Sequence, residues 1–312
     1  NIKTNAKNSS FDYLAMQFRL WKRMGMAVGF LPFSTVGYSL SNTSELTKDE
    51  DGTVINKTAS YAGDGGLQQV FAGVGFKVLD NLSIGANISY IYGDITHSVT
   101  TAFSNSSSFS SVRLDKISIN DYKLDFGLQY SYKFNKKHVL NFGAVYSLGH
   151  SVNGKGYKYN QKWLNGADYP STQTGDTITN AFSLPHTFGA GLTYVYDNRL
   201  TIGADFTYQQ WEDAKFYNEK SYFSNRTKIA AGAEFVPNPY SRNYLKRVRY
   251  RVGGYYSDPY TKVDGQDGTR EYGVSAGFGF PLFQSKSILN ISGQYVRVSP
   301  KVKGLSLIHI SE

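Results

Sequence analysis

The chain has 312 residues, among them 25 Tyr, 20 Phe and 31 Gly, with no Cys and a formal charge of +9. The absence of cysteine excludes a disulfide framework and a thiolate metal site. No apolar run reaches the roughly 20 residues of a membrane-spanning helix, and Lys and Arg are scattered with no basic helix or arm, which argues against nucleic acid.

Alternation with a period of two dominates from the first tens of residues onward, as expected of strands with unlike faces. Asn1 to Ser10 is polar and leads into a strand over 11–22, followed by 24–38, 66–78 and 82–95. In the last of these Leu82, Ile84, Ala86, Ile88, Tyr90 and Tyr92 alternate with Ser83, Gly85, Asn87 and Ser89. The strand over 117–134 is the clearest, with Tyr122, Leu124, Phe126, Leu128, Tyr130, Tyr132 and Phe134 on one face. Further strands are expected over 138–149, 184–196, 200–213, 223–236, 247–257, 271–283 and 287–299. Most exceed the about 9–11 residues that a tilted strand needs to cross a bilayer. Because only every second residue need meet lipid, the mean hydropathy of −0.38 is compatible with a membrane.

The connections alternate in length. Lys22-Arg23, Asp80-Asn81, Asn135 to Lys137, Asp197 to Arg199 and Phe283 to Lys286 are short; 39–65, 96–116, 150–183, 214–222 and 258–270 are long. Pro237 to Lys246 is the exception. Short turns at one end and long loops at the other are the pattern of outer-membrane barrels. The expected fold is therefore all-β, a transmembrane antiparallel β-barrel in the outer membrane of a Gram-negative bacterium. Twelve strands are counted here. The barrel is expected to fill 1–304, cut at both ends, while Leu305 to Glu312 match a translated sequencing adapter, which sets His309 aside.

If the aromatic faces meet lipid, the alternate faces line the lumen with Arg19, Lys123, Asp125, Gln129, Asp205, Gln209, Lys228, Glu234 and a ladder of Arg247, Arg249 and Arg251. A guanidinium fork suits an anionic headgroup. The plainer reading is an ion-pair network with Asp205, Asp125 or Glu234, since unpaired buried charge is costly.

Tyr- and Gly-rich strands in this order resemble the FadL family of outer-membrane channels for long-chain fatty acids and other hydrophobic compounds, in a divergent Bacteroidetes-like branch. The segments that carry the resemblance are Ser10 to Trp21, Gly29 to Ser34, Gly63 to Leu67, Asn81 to Gly85 and Asp121 to Gly127. The resemblance implies fourteen strands and an N-terminal plug, of which the plug and two end strands would be missing. It also implies passive uptake of a hydrophobic ligand, with lateral or periplasmic release and no cofactor or catalytic residue. The partners it implies are that ligand, outer-membrane lipid and lipopolysaccharide, around a monomer. The strand over 24–38 would be the kinked strand that opens a lateral gate, at Phe30, Pro32 and Phe33. Proline removes a ladder donor and belongs at edges and bulges; alternatively, Pro32 only ends the hydrogen-bonded part of the strand. Loops 96–116 and 150–183 would form an outer capture groove, with Phe103, Phe109, Val112 and Leu114 facing Trp163 and Leu164. Those aromatics could equally pack the loops onto one another.

Other readings have less support. Lys48 to Gly52 and Asp264 to Gly268 lack full calcium-loop spacing. Gly73-Val74-Gly75 and Gly277-Phe278-Gly279 precede no helix, so they are not phosphate loops. His97, His138, His150 and His186 lie on separate segments without metal-ligand spacing. A non-transporting barrel that partners a secretion system or surface attachment, a lipid hydrolase with a Ser/His pair and a general porin are the rival functions.

Overall fold

A computed structural model of the chain describes residues 13–48, 52–105, 108–164, 172–179, 182–216, 220, 222–263, 266–282 and 287–300. The adapter-like octapeptide, Asn1 to Asp12 and the turn Phe283 to Lys286 lie outside them. Among the described residues eighteen strands are formed: β1 (Leu14–Trp21), β2 (Met24–Lys48), β3 (Val54–Lys77), β4 (Leu82–Phe103), β5 (Phe109–Lys133), β6 (His138–Ser147), β7 (His150–Val152), β8 (Gly154–Leu164) and β9 (Thr172–Thr179) come first. They are followed by β10 (Phe182–Leu184), β11 (Thr187–Tyr196), β12 (Leu200–Gln209), β13 (Arg226–Phe235), β14 (Arg249–Ser257), β15 (Lys262–Val263), β16 (Gln266–Asp267), β17 (Thr269–Pro281) and β18 (Ile288–Pro300).

Twelve of these form one continuous antiparallel path, β1-β2-β3-β4-β5-β6-β11-β12-β13-β14-β17-β18. These are the twelve strands expected, in chain order, and the fold is the all-β transmembrane barrel type. Register keeps like faces together. Tyr194 stands opposite Leu140 and Ile202, and Ala204 opposite Leu192 and Ala231. The apolar face runs unbroken around the outside because a one-residue slip would exchange the two faces of a strand. Outward Ile88, Phe126, Leu192, Ile202, Val252 and Val274 are all exposed in the absence of lipid. The tight three-residue turn between β11 and β12 places Asp197 and Asn198 at φ 50° and 53°, residue types that tolerate the left-handed region better than most.

Two expectations are corrected. Residues 39–48, 54–65, 96–103 and 109–116 are not loop but the upper halves of β2, β3, β4 and β5, strands of 22–25 residues. The same holds in part for 150–183, where β8 pairs with β5 and β9 pairs with β8. Above the apolar band both faces meet water, so apolar alternation gives way to Ser and Thr. Cross-strand hydroxyl pairs, Ser41 with Ser60 at 3.3 Å and Thr43 with Thr58 at 3.0 Å, join the rungs instead. Second, Arg247 is not a rung of the arginine ladder. It follows a 3-10 turn (Tyr244–Lys246), with its guanidinium 5.3 Å from the Tyr244 ring centroid.

Candidate functional site

The lumen has two unlike halves. At the loop end the inward residues become apolar: Leu67 on β3, Ile91 on β4, and Ile117 and Ile119 on β5. They meet Val152 and Leu184 from the ribbon that β7 and β10 form, and all six are at most 8% exposed. Phe33, Ile95, Ile178, Phe182 and Phe216 pack around them. Local backbone devices make this possible. A one-residue bulge between Pro32 and Ser34 leaves Phe33 without a partner on β3 and packs it on the cluster. Gly93, at φ +142°, has no room for a side chain, because a Cβ there would lie 2.3 Å from the carbonyl oxygen of Gly66.

The ribbon is fastened at its base. His150 stacks on Tyr122 at 4.7 Å, with its Nε2 3.5 Å from Asp121. His186 Nδ1 accepts from Gly149 N at 3.2 Å and pairs with the Tyr146 hydroxyl at 2.8 Å. Across the mouth, Phe182 meets Phe216 and Trp211, while Trp211 also meets Phe223 and Tyr260. Arg226 lies 5.5 Å over the Tyr260 ring. Through Phe182, Trp211, Phe216, Phe223 and Tyr260, described residues of the three loop-end connections are thereby clasped together.

Toward the turn end the inward face is mostly small or polar, with Val139, Val145 and Val195 among its apolar positions. A recess of about 620 Å³ is lined by Gly75, Gly85, Gly127, Gly143, Gly189 and Gly191, with Gln129, Asn141, Thr193 and Asp205 between them. Several charges in this half are paired. Glu234 accepts from Arg249 at 2.7 Å and from Arg251 at 2.6 Å, and Arg251 also donates to Asn290. Lys123 and Ser147 both donate to Asp125. The arginines thus meet Glu234, and Asp205 stands apart from them on β12, beside Gly191. Arg19 is occupied by the backbone carbonyls of Trp21 and Lys22.

The other sequence-selected residues are dispersed. Phe109 faces Leu164 across the β5–β8 ladder, and Ser110 faces Trp163. Alternation therefore puts Phe109 and Leu164 on one face of the sheet, and Val112, Leu114 and Trp163 on the other. Phe103 ends β4, opposite Lys57. Phe30 and Phe33 also part company: Phe30 faces outward beside Leu14, Met16, Val28 and Val70 in an apolar groove of about 600 Å³, whereas Phe33 turns inward. The six residues of the dry cluster were missed. Their signal was present, because Leu67, Ile91, Ile117 and Ile119 put large apolar groups on a lumenal parity that is mostly small or polar elsewhere.

Each described histidine has a tyrosine or aspartate neighbour rather than a serine: His97 with Tyr38, His138 with Tyr194, His186 with Tyr146 and His150 with Asp121. His97 lies beyond the band of outward aromatics that ends at Tyr90 and Tyr92. Burial lowers its pKa from the usual imidazole value, outweighing the attraction of Asp115. Among the described residues no group of His, Asp and Glu could hold a metal ion.

Solved structures of similar shape include the CymD monoaromatic hydrocarbon channel, with a TM-score of 0.57 and 12% identity over 92% of this chain and 77% of that one. A Pseudomonas aeruginosa FadL homologue follows at 0.55 and 16% identity, over 93% and 70%. The Pseudomonas putida toluene transporter TodX gives 0.54 and 14%, over 92% and 80%. At such identities the likeness establishes the fold, a FadL-type barrel, and nothing finer. No curated protein matches the sequence. The BamG family profile matches residues 1–305, and the chain belongs to the BamG family.

Proposed function

We propose that the protein is an outer-membrane channel of a Gram-negative bacterium, through which a hydrophobic small molecule passes by diffusion. The observation that carries this reading is the dry apolar cluster across the loop end of the lumen. A porin for polar solutes needs a wet constriction, whereas Ile91, Ile117, Ile119, Val152 and Leu184 offer water nothing to bind. An apolar solute replaces these contacts with its own, at roughly 25 cal/mol per Å² of surface buried. Capture would occur among the aromatics of the loop-end sheet, and entry would require the β7–β10 ribbon to part from Leu67 and Ile91. Release would follow either sideways, past the bulge at Phe33 toward the groove at Phe30, or down into the glycine-lined half. That similar solved structures include a monoaromatic hydrocarbon channel and a toluene transporter supports this class of solute. Long-chain fatty acids are its natural extension. No covalent chemistry is involved.

A second reading has its own observation. The cluster is buried and flanked by aromatics from three connections, as a barrel that carries no solute and instead partners a secretion system or surface attachment would permit.

The two are separated by purifying the full-length protein in detergent, analysing organic extracts by mass spectrometry and titrating the protein with toluene and oleate. The channel reading expects saturable binding that Ile119→Asp abolishes and Phe109→Ser or Trp163→Ser weakens. Absence of saturable binding to the folded protein overturns it in favour of the partner reading.

A further inference from the structure

The positive charge of this chain is concentrated at one end of the barrel. The described turn-end connections are 22–23, 78–81, 134–137, 197–199 and 236–248. They carry the exposed cations Lys22 and Arg23, then Lys136 and Lys137, then Arg199, then Arg242 and Lys246. Their acids are Asp80 and Asp197 alone. Asp80 lies 3.8 Å from Arg23 and 3.4 Å from Lys77, but it is 87% exposed, so water screens these contacts. Among the described residues of the loop-end connections, 210–225 and 258–268 mix Glu212, Asp213, Asp258 and Asp267 with Lys215, Lys220 and Lys262, while 148–186 sets Lys155, Lys158 and Lys162 against Asp176.

The level of the cations is fixed by what stands beside them. The outward residues just inside the same turns are aromatic and exposed: Trp21, Phe76, Tyr132, Phe134, Tyr196 and Phe235. Such a girdle marks the boundary between hydrocarbon and headgroups in transmembrane barrels. Cations one to three residues past Trp21, Phe134 and Tyr196 therefore stand at the depth of lipid phosphates. The fifth connection adds an interfacial pair, the exposed Tyr240 and Leu245, beside Arg242 and Lys246.

We infer that the turn end is a binding surface for anionic phospholipid headgroups, which it selects over zwitterionic ones. The arrangement favours lipid over an acidic protein. The cations occur on four of the five described turns rather than on one patch, and a headgroup layer surrounds a barrel whereas a protein docks on one side. This surface is independent of whether the lumen conducts anything. It also gives the barrel a fixed orientation, with its basic end on the leaflet that holds anionic phospholipid.

The experiment uses Trp21 as reporter. Of the three tryptophans in this sequence, Trp163 and Trp211 lie at the loop end and Trp21 sits on this girdle; any tryptophan outside residues 1–312 is replaced by phenylalanine in the reporter protein. The full-length protein is reconstituted in phosphatidylcholine vesicles, and quenching is compared for brominated-chain phosphatidylglycerol and brominated-chain phosphatidylcholine. A preference of about fivefold for phosphatidylglycerol is expected, as for a cation adjacent to the surface. It should fall toward unity in the combined Lys22→Gln, Arg23→Gln, Lys136→Gln, Lys137→Gln variant. Raised salt should produce the same fall in the unaltered protein, which guards against a variant that fails to fold. Equal quenching by the two lipids, or a preference that neither charge removal nor salt changes, overturns the assignment and leaves an acidic protein as the occupant.

Discussion

The two halves of the lumen are built on the same strands and the same pairing rules, yet they exclude different things. In the loop-end half Ile91 and Val152 are 2% and 1% exposed, and the interior is filled with the chain's own side chains. In the turn-end half the same strands carry glycine at lumenal positions and enclose a recess of about 620 Å³. A period of two fixes which residues point inward, but not whether the inside is wet. That is decided by whether the inward parity holds Leu and Ile or Gly, Ser and Asn.

Substitutions in the two halves should therefore differ in kind. The largest effect is expected at the dry cluster. Ile91→Ala leaves a void that its neighbours cannot fill and should cost about 3 kcal/mol, read as a lower midpoint of heat-induced unfolding in detergent. Thr193→Ala, in the recess, should stay within about 0.5 kcal/mol. Similar losses at the two sites would dissolve the distinction. Next is Gly93→Ala, where a side chain meets the Gly66 carbonyl at a backbone angle that L-residues rarely adopt; about 1–3 kcal/mol is expected from the strain. The same assay checks it, and an unchanged midpoint would show that β3 and β4 can separate there.

Glu234→Gln removes the shared partner of Arg249 and Arg251. These arginines are 39% and 37% exposed, so solvent screening limits the loss to about 1 kcal/mol. The loss should shrink further at high salt, and a salt-independent loss of several times that size would mean that this half is drier than described.

The smallest effect concerns His97. Its folded pKa is lowered, so at acid pH the unfolded chain takes up the proton first. The stability it contributes is present above the unfolded value of about 6.5 and is lost as pH falls through the lowered folded value. His97→Gln should flatten the pH dependence of the midpoint in that window, and an unchanged slope would assign the dependence to other groups.

Much of the wall was legible in the sequence. From Leu82 to Tyr92 and from Tyr122 to Phe134 the apolar face is unmixed, because lipid meets every second residue. The upper strands were read as loops because water meets both faces of Ser39 to Lys48 and Thr96 to Phe103, so the apolar contrast that marks a strand disappears although the ladder continues. The closure was not legible as a site. Leu67, Ile91 and Ile119 are far apart in sequence, and Val152 and Leu184 reach them through a three-residue ribbon whose pairing no local pattern announces. Phe109 and Trp163, chosen as aromatics on facing loops, fall on opposite faces, since strand register rather than residue type sets where they point.

The dry loop end is the central claim, and the lack of cysteine makes it directly testable. Ile91→Cys and Thr193→Cys, each introduced singly, are labelled with a membrane-impermeant maleimide in the folded protein. Thr193→Cys should react readily and Ile91→Cys should stay unlabelled until the protein is unfolded. Equal labelling rates at the two positions would contradict the closure and the channel mechanism built on it.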